Sequence, residues 1–322
     1  MRVCSLFSGI GGIDLGFIQA GFDIVWANEI EKYAAATYCH NFGTTNFLKA
    51  DIRKVDVDTI PAFDVLVAGF PCQSFSKGGK KRGFDDERGS LFFQVVRIAQ
   101  SRRPQIIFLE NVANLLDHDE GKSFLTVYNA LAPLGYSFKY QVLEPYEYGD
   151  IPQRRSRIFI VCFLDLEVCD RFSFPERIEL KQNLADMIDR SEKHSECYYY
   201  DESHRNYQEL LPLVTRNDCV YKIYDRGVSR DAYTICPTLT AYMERCFERV
   251  PIIRDDYGIR RLTPYECLKL QGFPDDFKFA PNTPMRNAYK QVGNSVCVPV
   301  IRRIAEKIYE VLKDERPAKF YN

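Results

Sequence analysis

The 322-residue sequence predicts an α/β protein: a doubly wound, mostly parallel sheet with helices on both faces, carrying a smaller irregular domain. Three observations predict it. Short apolar, β-rich runs alternate with helix-like stretches through the first half of the chain. From about 170 to 260 that periodicity fades, and tyrosines, charges and turn residues take over. Helical spacing then returns at the C-terminal end.

Taken in order, strand 2–7 (RVCSLF) runs into Phe7-Ser8-Gly9-Ile10-Gly11-Gly12 and a helix near 12–20. Glycines there let the backbone turn tightly and approach a ligand with no Cβ in the way. Alone, such a loop serves a structural turn as readily as a ligand. Strand 23–27 leads to Glu29, 20 residues beyond Gly9, the usual place for a carboxylate that holds ribose hydroxyls. After a helix near 30–40, Asp51 follows in Ala50-Asp51-Ile52, placed to accept a hydrogen bond from an adenine amino group. G-x-G-G stands where a dinucleotide fold has G-x-G-x-x-G, which suits a nucleoside ligand without a pyrophosphate.

Strand 63–69 (FDVLVAG) delivers Pro71-Cys72-Gln73-Ser74-Phe75-Ser76 to the same edge. Neighbouring lysines and arginines favour a reactive thiolate at Cys72, although position alone leaves a buried structural thiol equally open. A helix near 90–101 precedes strand 105–110, which ends at Glu110. Burial there would raise its pKa and let it donate a proton or a strong hydrogen bond. Beyond a helix near 121–132, Gln153-Arg154-Arg155-Ser156-Arg157 enters strand 157–163, where alternation lets Arg155 and Arg157 share a face. Residues 298–313 form a helix with Ile301, Ile304, Ile308 and Leu312 on one side.

Hydrophobic residues at 46% and charged residues at 27% describe a globular chain able to bury a core, and its length suggests two compact units. No apolar run approaches a membrane span, and glycines interrupt the N-terminal one before it could act as a signal peptide. A cytoplasmic protein without membrane contact is expected. Eleven cysteines with no C-x-x-C pair and four scattered histidines argue against disulfides and against a metal site. The net charge of −1 conceals a basic run at 73–90 (Lys77, Lys80, Lys81, Arg82, Arg88), a pattern more often solvated surface than binding site when taken alone.

Together the blocks resemble the bacterial DNA (cytosine-5) methyltransferases, in the family's order from residue 5 to residue 298. FSGIGG resembles the cofactor loop, GFPCQSFS the nucleophile block, ENV the glutamate block and QRRSR the arginine block. PTLTA (237–241) resembles the Thr-Leu element of the target-recognition region. RRLTPYECLKLQGFP (260–274) and QVGNSV (291–296) resemble the blocks that follow it. The third block departs slightly, reading Ala-Asp-Ile where members often have Gly-Asp-Ile, but the carboxylate is kept.

The resemblance implies a Rossmann-like methyltransferase sheet. Its catalytic domain would be 1–180 plus 285–322, and 181–284 a compact target-recognition domain. It implies S-adenosylmethionine as donor, S-adenosylhomocysteine as product, and double-stranded DNA as partner of a monomer. A cognate restriction endonuclease would act on the same site without direct contact, in a prokaryotic cell or from a phage. Cys72 would attack carbon 6 of a flipped cytosine, Glu110 would hold N3 and the exocyclic amine, and Arg155 and Arg157 would hold the base. The donor would lie against Phe7, Ser8, Gly9, Gly11, Gly12, Glu29 and Ile30, then Asp51, Ile52, Gly69, Pro71 and Leu91, with Asn294 and Ser295 near its methionine end. DNA contacts fall to Gln73, Ser76, Lys77, Arg88, Gln153, Thr238 and Leu239, with loop 73–90 closing over the base.

Four rivals fare worse. A Rossmann oxidoreductase leaves PCQ, ENV and QRRSR unexplained, and a zinc deaminase needs a cysteine at 75, where Phe75 stands, and an H-x-E that is missing. A non-catalytic relic would not need Cys72, Glu110 and both arginines. A tRNA methyltransferase of the same fold typically carries Pro-Pro-Cys-Gln where this chain has Phe-Pro-Cys-Gln.

Overall fold

The computed structural model describes residues 1–70, 91–224 and 227–313. They fall into two compact units: Met1–Leu143, Ser156–Glu176 and Val300–Asn322 in the first, and Glu144–Arg155 with Arg177–Pro299 in the second.

The first unit is built on a seven-stranded sheet: β1 (Arg2–Leu6), β2 (Asp23–Glu29), β3 (Phe47–Lys49), β4 (Val65–Gly69), β5 (Ile106–Val112), β6 (Ser137–Leu143) and β7 (Arg157–Phe163). Their spatial order is β3-β2-β1-β4-β5-β7-β6. Pairs from β3 through β5 are parallel, while β7 runs antiparallel to both β5 and β6. The central strands are buried on both faces, so Val65, Leu66, Val67 and Ala68, like Ile107, Phe108 and Leu109, are inaccessible to solvent. Helix cover on both sides makes such strands continuous apolar runs. From β1 the chain winds outward to β2 on one side and later to β4 on the other. That reversal opens a crevice at the carboxyl ends of β1 and β4, where α/β sheets bind ligands.

Helices α1 (Gly12–Gln19) and α2 (Lys32–Phe42) connect the first strands. The C-terminal helix Val298–Lys313 buries Ile301, Ile304, Ile308 and Leu312 as its spacing predicts, and its residues from Val300 onward belong to this unit. Each such side chain contributes about 1.5–3 kcal/mol through burial.

The second unit has little regular structure. A hairpin of Ile252–Asp255 with Gly258–Arg261 and short helices enclose a small core of Leu210, Val214, Tyr221, Ile223, Ile252 and Ile259. Its largest fully buried side chain is Arg260, held between Asp255 and Glu266 at 2.6 and 2.7 Å. Among the described residues no helix is long and apolar enough to cross a membrane.

Candidate active site

The β1–α1 turn is made by backbone conformations that L side chains rarely adopt: Phe7, Gly9 and Gly11 have φ of +55°, +57° and +87°. Gly11 is also required by space, since a Cβ there would stand 2.3 Å from the Phe42 ring of α2. At Gly9, by contrast, a Cβ would meet nothing within 4 Å, so the turn presents bare backbone to open space. Gly12 opens α1 and is buried. Ser8 is fixed beneath the turn by its N–H donating to the Asn28 carbonyl at 3.0 Å.

Glu29 closes β2 and grips the same turn. Its Oε2 accepts from the Gly9 N–H at 2.9 Å, and its Oε1 from the Ile30 and Glu31 N–H groups, each at 2.8 Å. A carboxylate offers about four acceptor positions, so roughly one remains for a ligand hydroxyl. Ile30 beside it is 59% exposed, an apolar surface available to a ring. Asp51 is held by Arg53, which donates to both of its oxygens, and the guanidinium keeps its carboxyl low, near a pKa of about 2. Ile52 is buried after it, and Leu91 begins the next described helix, Leu91–Arg102, half-buried.

One strand further on, register places Gly69 opposite Glu110. A Cβ at Gly69 would lie 3.5 Å from Glu110 Oε2, an ordinary contact distance that shows how near the carboxylate lies to this backbone. Register also sets Arg157 opposite Val112, and its Nε reaches Glu110 Oε1 at 3.1 Å. Both side chains are largely buried, at 14% and 12% exposure, which strengthens the pair beyond a surface ion pair. Asn111, read in the sequence only as part of ENV, donates its amide to the Phe70 carbonyl at 2.9 Å. It thereby anchors the end of the described backbone before the Pro-Cys-Gln block. Pro71, Cys72, Gln73, Ser76, Lys77 and Arg88 lie outside the described residues.

Arg155 is placed differently from Arg157. It precedes β7, belongs to the second unit, and so does not alternate with Arg157 along one strand. Its buried guanidinium donates to the carbonyls of Leu239 at 2.6 Å, Gly293 at 3.0 Å and Ser295. Thr238 Oγ1 donates to the Arg154 carbonyl at 2.8 Å, and Gln153 donates to the Leu270 carbonyl. Gln153, Arg154 and Arg155 of the arginine block, the Thr-Leu element and QVGNSV are thus one knot within this unit. Asn294 is exposed, whereas the Ser295 hydroxyl is buried with no partner among the described residues, an atom that a ligand could satisfy.

A cationic, aromatic face of the second unit escaped the sequence reading. The Phe247 ring lies between the guanidinium groups of Arg261 at 4.7 Å and Arg286 at 5.3 Å, and Arg249 sits 5.9 Å from Tyr242. Its acids are occupied, Glu248 by Arg205 at 2.6 Å and Glu244 by Lys290 at 3.7 Å. These residues come from distant segments, so no local pattern marks them.

Comparison with known proteins agrees with the blocks. Residues 1–310 match the family model described as C-5 cytosine-specific DNA methylase. The chain is 46% identical over 313 residues to the Type II methyltransferase M.Bsp6I of Bacillus sp. (strain RFL6), covering 96% of this chain and 99% of that one. It is 37% identical over 315 residues to the Type II methyltransferase M.HhaI of Haemophilus parahaemolyticus, covering 96% and 94%. Among solved structures, the S. pombe Dnmt2 methyltransferase superposes with a TM-score of 0.74 at 21% identity, covering 97% and 99%, a likeness of fold. With the family model spanning nearly the whole chain, this protein belongs to the C-5 cytosine-specific DNA methylase family.

Proposed function

We propose that the chain transfers a methyl group from S-adenosylmethionine to carbon 5 of a flipped cytosine within a short duplex DNA sequence. The observation that carries the reading is the buried Glu110–Arg157 pair at the carboxyl edge of the sheet, on the strand next to the one that leads into the cysteine block. The donor-side residues fit a nucleoside ligand. Gly9 faces open space, Glu29 keeps an acceptor position for a ribose hydroxyl, and Ile30 offers apolar surface to an adenine. When bound, S-adenosylmethionine supplies an electrophilic methyl group.

The protein's own groups do the rest. The Cys72 thiolate bonds to carbon 6, and the ring electrons move towards carbon 5 and N3. Glu110 holds the proton at N3, and Arg157, oriented by Glu110, neutralises charge growing at O2. Carbon 5 takes the methyl group, a base removes the carbon 5 proton, and the sulfur–carbon bond breaks to return the thiolate. Arg155, spent on three carbonyls, acts by holding the recognition segment in shape. The Phe247 face, where arginines outnumber free acids, suits the phosphate backbone.

Duplex DNA is preferred over tRNA because the relatives at 46% and 37% identity are named Type II methyltransferases. By the same resemblance, the methyl mark would protect a site that a cognate endonuclease cuts. The test is a duplex containing 5-fluorocytosine, in which the carbon 5 substituent cannot leave as a proton. The wild-type protein should form a complex that survives denaturing electrophoresis, and Cys72→Ser should form none while binding the donor normally. A Cys72→Ser enzyme that still methylates DNA at the wild-type rate refutes the covalent route.

A further inference from the structure

A buried carboxylate beneath the glycine turn has no task in the chemistry above. Asp14, in the first turn of α1, has no exposed surface. Its Oδ1 accepts from Ser5 Oγ at 2.5 Å and its Oδ2 from the Tyr38 hydroxyl at 2.7 Å, and among the described residues no salt bridge reaches it. Burial without a cation pushes its carboxyl up to about 6, with the two hydroxyls only partly opposing the shift. The titratable groups facing it are Tyr38 from α2 and the Cys4 thiol from β1, both pushed up by burial and neutral near pH 7.

Two supports of the turn start from Asp14. Ser5 Oγ lies 3.0 Å from Ser8 Oγ and, with its own hydrogen given to Asp14, accepts from the Ser8 hydroxyl, while the Ser8 N–H is fastened to the Asn28 carbonyl. The Tyr38 ring packs 4.8 Å from Phe42, the ring that fills the space under Gly11. An ionised Asp14 accepts from both hydroxyls and so fixes their direction. A protonated one must donate through one oxygen, and the hydroxyl it meets has to turn its own hydrogen elsewhere.

We propose that Asp14 is a positioning residue for the methyl donor: as a carboxylate it locks the Ser5–Ser8 and Tyr38–Phe42 supports that give the Phe7–Gly12 turn its binding shape. This rests on reading that turn as the donor site. Calorimetric titration of the full chain with S-adenosylhomocysteine, between roughly pH 5 and pH 8, tests it without turnover. Wild-type affinity should fall roughly tenfold as the pH drops through the Asp14 transition. Asp14→Asn should bind at pH 8 as weakly as wild type does at pH 5, with no pH dependence. Ser5→Ala and Tyr38→Phe each remove one donor to the carboxylate, so each should move the wild-type midpoint upward; they decide the matter if Asp14→Asn does not fold. His40→Gln removes the exposed imidazole on α2 and should leave the profile unchanged.

Asp14→Asn matching wild type at every pH overturns the proposal. So do Ser5→Ala and Tyr38→Phe that leave the midpoint in place, or a profile that vanishes with His40. A wild-type chain that binds no S-adenosylhomocysteine at any pH sinks the donor reading itself, whereas intact binding with an indifferent Asp14 variant sinks only the role of Asp14.

Discussion

Asp14 in the first unit and Asp255 in the second are both buried aspartates, yet they are satisfied in opposite ways. Asp255 meets Arg260 at 2.6 Å, accepts from Tyr199 and from the Tyr257 and Gly258 N–H groups, and shares its arginine with Glu266. Among the described residues Asp14 meets two hydroxyls and its own backbone N–H, and no cation. Where a small, irregular core must be held in one shape, this buried charge is given its counter-charge. Beneath the glycine turn, a charge is left without a counter-charge among the described residues and its protonation brought within reach of ordinary pH. The difference separates a fastening from a support that can be loosened.

The largest effect should come from breaking the fastening. Arg260→Met would leave Asp255 and Glu266 buried beside an apolar side chain, and removing one partner of such a cluster costs about 3–5 kcal/mol. Denaturant unfolding followed by a probe in the second unit should show that loss. A change below about 1 kcal/mol would mean that the acids simply protonate and that the triad is a weak fastening.

Asp14 should behave in the contrary sense. Its folded pKa, about 6, lies above its ordinary value of 3.8. Between those values the native state holds a proton that the unfolded state has released, so stability from this group falls as pH rises through the window and is flat above it. Roughly two units correspond to about 3 kcal/mol at full burial. Wild type should therefore lose up to about 3 kcal/mol relative to Asp14→Asn between pH 4 and pH 7. Urea unfolding at several pH values measures that difference, and a variant equally destabilised at both ends would make Asp14 an ordinary structural residue.

The sequence shows one of these arrangements far better than the other, for physical reasons. Strands β1, β4, β5 and β7 are legible because burial on both faces makes most of each an apolar run, and β2 through its shorter run 24–27. The edge strand β6 is not, since Phe138, Tyr140 and Val142 alternate with Lys139 and Gln141, and β3 is only three residues long. Glu29 ends an apolar strand, Arg157 begins one, and Glu110 stands out as the charge that follows the apolar run 106–109 within β5. The partners of Arg155 are backbone carbonyls, which leave no mark in a sequence. Ser5, Asp14 and Tyr38 come from a strand and two helices, and only packing shows that they are one cluster.

The smallest effect concerns a cation that no acid among the described residues of the second unit pairs with. Arg260 is wholly buried against carboxylates, but Arg286 is exposed and lies over the face of Phe247. Contact with an aromatic ring holds a guanidinium in place without neutralising it, leaving its charge for a phosphate. Arg286→Ala should then weaken binding to specific and unrelated duplexes alike, by a few-fold at moderate salt, because a backbone contact carries no sequence information. Its salt dependence is the sharper readout: the slope of log K against log salt should shrink by about one unit. If affinity falls only for the specific site and the slope is unchanged, Arg286 reads a base edge. If neither moves, the Phe247 face does not meet DNA, and its arginines serve the packing of the second unit as Arg260 does.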